Sequence, residues 1–81
     1  METKKQLEQI AERLMYALSI FNYECKVEID YRAECITLVF STDTDQITSS
    51  AIERFQRVVG EVGITVCEDH VELYGFPILI P

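Results

Sequence analysis

Over residues 23–31 the sequence alternates without a break. Tyr23, Cys25, Val27, Ile29 and Tyr31 fall on one side of an extended chain, and Glu24, Lys26, Glu28 and Asp30 fall on the other. A helix would repeat its apolar positions at three and four, so this period of two defines a strand with one buried and one solvated face. A second β-rich run, residues 35–41, follows after a turn at Arg32-Ala33. Closing that turn pairs Ile29 with Ile36, Val27 with Leu38 and Cys25 with Phe40. All three pairs are apolar, so the register of this hairpin is self-consistent.

The segments on either side have a different period. Leu7, Ile10, Ala11, Leu14, Ala17, Leu18 and Phe21 form one stripe of an amphipathic helix. Thr3 and Gln6 read as a capping box at its start, and Asn22 as a left-handed stop at its end. A second stripe, Ile47, Ile52, Phe55, Val58, Val59 and Val62, predicts a second helix. Its start is set by one of two competing caps, Asp43 with Gln46 or Ser50 with Glu53, and its stop by Gly60 or Gly63.

Residues 64–67 and 70–74 predict a second hairpin about Glu68-Asp69, with Val66 opposite Val71 and Ile64 opposite Leu73. Beyond Gly75 the chain stays apolar through Phe76, Ile78, Leu79 and Ile80, with Pro77 and Pro81 favouring an edge position or one outside the sheet. The expected fold is therefore α+β: one domain over residues 1–81, in the order αββαββ, two helices on one face of a four-stranded, largely antiparallel sheet. A weak echo at an offset of 41 residues matches Thr3 with Thr44, Glu12-Arg13-Leu14 with Glu53-Arg54-Phe55, and Asn22 with Gly63, as a tandem αββ repeat over 1–41 and 42–81 would.

Charge narrows the function. Fourteen acids stand against seven bases for a net charge of −7, and the bases are scattered along the sequence. Such a body repels a phosphate backbone, which disfavours direct nucleic-acid binding. No apolar run reaches the roughly 18 residues of a membrane span, and Cys25, Cys35 and Cys67 lack the spacing of a disulfide scaffold. The expectation is a cytoplasmic protein with free thiols. Residues 23–45 total −4, and residues 58–81 carry four acids and no base, so the negative charge follows the hairpins.

Three glycines, none in a phosphate loop, and a single histidine leave no catalytic constellation, and no cofactor motif is present. Asp43, Asp45 and Gln46 lack the glycine and terminal glutamate of a calcium loop. Cys67 and His70 would face each other across the second turn, with Cys35 outward on its own strand, as metal or thiol candidates. Two ordinary surface residues are the commoner meaning of such a pair.

The leading expectation is a protein-interaction module. Glu24, Glu28, Asp30, Glu72 and Tyr74 share the face away from the helices and suit a basic protein partner, as in a phage-type inhibitor that mimics nucleic-acid charge. Phe76, Ile78, Leu79 and Ile80 are the candidates for self-association into a homodimer.

Overall fold

The computed structural model describes residues 2–20, 25–40 and 49–80. Helix α1 (Thr3–Ile20) precedes strands β1 (Cys25–Asp30) and β2 (Cys35–Phe40), and helix α2 (Ser49–Val59) precedes β3 (Gly63–Val66) and β4 (Val71–Gly75). The strands form one antiparallel sheet in the order β1-β2-β4-β3, so the two hairpins meet along β2 and β4. Asn22, Tyr23 and Glu24, the cap at Asp43 and Gln46, Asp45, Thr44, Phe21, Ile47 and Pro81 lie outside the described residues.

The alternating pattern fixes what each face carries. Cys25, Val27 and Ile29 pair with Phe40, Leu38 and Ile36, and Ile64 and Val66 pair with Leu73 and Val71. At the seam Leu38 lies opposite Leu73 and Phe40 opposite Val71, which joins the two apolar patches into one. Leu7, Leu14 and Leu18 of α1 and Phe55 and Val59 of α2 close over it, giving a single core with Ile36, Leu38, Phe40 and Leu73. Each such side chain contributes about 1.5–3 kcal/mol by leaving water. β3 extends past this cover: Ile64 and Val66, on the same face, remain 54% and 67% exposed.

Local devices end the elements. Gly60 takes φ +78° and its N–H donates to the Gln56 carbonyl at 2.9 Å, which terminates α2, whereas Gly63 is already the first residue of β3. At the first hairpin, Asp30 Oδ1 accepts from the N–H groups of Arg32 and Ala33 at 3.1 and 3.0 Å. Glu34 completes that turn in the left-handed region, φ +57°. Lys4 Nζ lies 5.8 Å from the Tyr31 ring centroid, tying the start of α1 to the same turn.

One expectation is corrected. Thr3 is already the first residue of α1, and the Gln6 N–H closes the first turn on the Glu2 carbonyl, so the helix starts a residue earlier than a cap at Thr3 would set it. The Gln6 side chain does not stay at the surface. It is turned inward, 7% exposed, where its amide donates to the Ile80 carbonyl at 2.7 Å and accepts from the Ile80 N–H at 2.8 Å. A buried amide needs partners, and an extended residue offers one donor and one acceptor. Of the two positions that its prolines allow, the apolar tail takes the one outside the sheet, whose edges are β1 and β3. It leaves the sheet after Gly75, buries Pro77, packs Leu79 against the core and reaches α1 at Gln6.

Candidate functional site

Both helices pack on one face of the sheet, and the other face is formed by the second set of alternating residues. Lys26, Val39, Glu72 and Thr65 make one row across the four strands, and Glu28, Thr37, Tyr74 and Gly63 make the next. Of the acidic residues expected there, Glu28 is exposed and Glu72 half-buried, and Tyr74 is exposed on β4 in the row of Glu28. Asp30 is also exposed, but its carboxylate holds the Arg32 and Ala33 backbone in the turn. Lys26 shares the row of Glu72, so the face mixes one base with its acids.

The Tyr74 ring lies directly over Gly63, where a β-carbon would collide with it. This ring and Phe76 border a shallow cavity of about 270 Å³ that also meets Glu61 and Val62. The absence of a side chain at Gly63 is what lets the aromatic ring approach β3 this closely.

At the turn of the second hairpin, the Cys67 N–H donates to the His70 carbonyl at 2.9 Å, which sets the two residues opposite each other. Donor atoms of Cys67, His70 and Glu72 lie within 4.8 Å of one another, all three residues half-buried. The Glu72 Oε1 is 3.6 Å from His70 Nε2, and His70 Nδ1 meets Asp69 Oδ1 at 2.6 Å. That hydrogen bond to Asp69 holds the imidazole above its ordinary pKa; desolvation opposes the rise, and the charges of Asp69 and Glu72 add to it. The same bond holds the Asp69 carboxyl below the usual carboxylate range.

Cys35 does not join this group. It sits at the start of β2, while β4 begins with Val71 opposite Phe40, five residues further along β2. At about 3.3 Å per residue the separation is roughly 16 Å. Glu72 takes its place because it lies two residues beyond His70, just inside β4, and so shares its face. Cys25 faces the core, and burial pushes its thiol pKa up.

The bases that look scattered in the sequence are not all scattered in space. Arg13 of α1 and Arg54 and Arg57 of α2 border one groove between the helices, about 230 Å³, with Leu14, Ala17, Leu18 and Val58. Helical spacing brings residues three and four apart to one side, a signal that net charge conceals. Arg57 also pairs with Glu53 at 3.6 Å at the surface. No described helix is long and apolar enough to cross a membrane.

Comparison with protein-family models, with curated proteins and with solved structures finds no match to the chain.

Proposed function

We propose that the protein is a non-enzymatic interaction module of the cytoplasm that docks a basic protein partner on the open face of its sheet. The observation that carries this reading is the division of labour between the faces: both helices cover the core side over β1, β2 and β4, while Glu28, Glu72 and Tyr74 stand outward around Thr37 and Val39. Carboxylates about an aromatic and small apolar floor give both steering and contact area. An adaptor, a chaperone-like factor or an inhibitor that occupies the basic groove of a nucleic-acid-handling protein would all use such a face. The test is capture of basic proteins from a native host extract by the intact chain and by Glu28→Lys combined with Glu72→Lys, each across a salt series. Binding that falls with salt and with charge reversal, at unchanged thermal stability, supports the reading. Retention indifferent to both would remove it.

A homodimer through the tail accompanies this proposal. Phe76 and Ile80 are exposed and Ile78 is 89% exposed, more apolar surface at one place than a small monomer ordinarily leaves in water. Sedimentation of the intact chain and of a Phe76→Ser, Ile78→Ser variant reads it directly. A monomeric intact chain, or a dimer that survives the substitutions, would exclude the tail as the contact.

A further inference from the structure

We propose that Cys67, His70 and Glu72 bind a zinc ion at the tip of the second hairpin, with Asp69 orienting the histidine. The proposal does not depend on partner docking and is tested on the isolated chain.

Three features converge. The donor set is one thiolate, one imidazole and one carboxylate, the types that Zn²⁺ takes in four-coordinate sites. The donor atoms already lie within 4.8 Å of one another. Bond lengths of about 2.0–2.3 Å place tetrahedral ligands roughly 3.3–3.8 Å apart, so closure needs side-chain shifts of about an ångström. His70 Nε2 and Glu72 Oε1, at 3.6 Å, already meet that spacing.

The second feature is the tautomer. With Nδ1–H donated to Asp69 Oδ1 at 2.6 Å, the neutral imidazole carries its lone pair on Nε2, the nitrogen that faces Glu72. A carboxylate behind a ligating histidine fixes its ring and raises its basicity toward the metal. The third is rigidity: the Cys67 N–H bond to the His70 carbonyl holds the two flanks of the turn, and Glu72 is within β4, so all three ligands stand on one braced hairpin. On binding, the Cys67 thiol gives its proton to solvent. The resulting thiolate and the Glu72 carboxylate balance the two positive charges of the ion, and water takes the fourth position.

The experiment titrates the reduced, chelator-stripped full chain with Co²⁺ as a spectroscopic substitute and then displaces it with Zn²⁺. One equivalent of Co²⁺ should produce a thiolate-to-cobalt charge-transfer band with the intense visible absorption of tetrahedral cobalt, and Zn²⁺ should abolish both. Cys67→Ser should eliminate the charge-transfer band, and His70→Gln and Glu72→Gln should each weaken binding at least tenfold. Asp69→Asn should weaken it roughly ten- to a hundredfold while leaving the band's position unchanged. Cys25→Ser and Cys35→Ser should bind as the parent does. Circular dichroism of each metal-free variant separates loss of the site from loss of the fold; should Cys67→Ser unfold, the Glu72→Gln affinity decides. No charge-transfer band in the parent, or a band that persists in Cys67→Ser or vanishes in Cys35→Ser, overturns the proposal.

Discussion

Gln6 and Ile80 lie 74 residues apart and exchange two hydrogen bonds, the glutamine amide donating to and accepting from the backbone of a single residue. This clamp fastens the tail after β4 to the first turns of α1. Each bond contributes about 0.5–1.5 kcal/mol net, so Gln6→Ala should cost about 1–3 kcal/mol. In a domain of this size each kcal/mol lowers the midpoint of thermal unfolding by about 4–8 °C. Gln6→Glu should fall between, since it keeps an acceptor for the Ile80 N–H and sets a second oxygen against the Ile80 carbonyl. Thermal melts and amide exchange at Ile80 check this; a Gln6→Ala variant with the parent's midpoint and protection would dismiss the clamp.

The sheet glycines at positions 63 and 75 are expected to respond unequally to alanine. At Gly75 the new methyl group would collide with the Val59 side chain, which is buried, and approach the Glu61 carbonyl at 3.1 Å. Overpacking of that kind costs about 1–3 kcal/mol. At Gly63 the obstacle is the Tyr74 ring, which lies at the surface and can swing outward. Gly63→Ala should therefore change stability by less than about 1 kcal/mol, within the gain an alanine brings to a strand. It should also make Tyr74 fluorescence more accessible to a soluble quencher. Equal destabilisation by the two changes would contradict this assignment.

Glu34 holds a left-handed conformation that costs a residue with a β-carbon about 1–2 kcal/mol, and asparagine adopts it more readily. Glu34→Asn should raise the unfolding free energy by about 0.5–1 kcal/mol, while the branched side chain of Glu34→Val should lower it by at least as much. Urea midpoints of the three proteins measure both, and a stabilising valine would count against the turn geometry.

Cys25 supplies a pH dependence of definite sign. Its thiol pKa is raised in the folded protein, whereas the unfolded thiol titrates near about 8.5. Above that pH the unfolded chain loses the proton and the folded chain keeps it, so the thiol's contribution is complete below the unfolded pKa and is lost as pH climbs toward the folded one. Denaturant titrations from about pH 7 to 10 should show stability declining, less steeply in Cys25→Ala. An identical decline in both proteins would assign the effect to other groups.

Much of the fold is legible in the sequence, and the reason is visible in particular residues. Val27, Leu38 and Leu73 are apolar on a period of two, and slipping any strand by one would turn its core set into water, so the hairpin pairings follow from the pattern alone. The clamp is illegible for the opposite reason: one glutamine meeting one backbone unit has no period to detect. The distance of Cys35 from Cys67 and His70 is illegible as well, because it depends on the antiparallel seam that sends the start of β2 to the far end of β4. Glu72 is legible, as it follows His70 by two where the chain enters β4. The exposure of Ile64 and Val66 is not, since it depends on how far α2 reaches across the sheet.

The strand order has a consequence for how the chain acquires this structure during synthesis. β4 follows β3 in the chain yet lies between β2 and β3. A ribosome that has delivered both helices, the first hairpin and β3 has delivered two strands whose hydrogen-bonding partner does not yet exist. Until β4 emerges, β2 presents an unpaired edge beside Ile36, Leu38 and Phe40, the combination on which nascent chains stick to one another. The sheet therefore cannot close before β4 has emerged and lies between β2 and β3, and the clamp of Ile80 on Gln6 forms only after that.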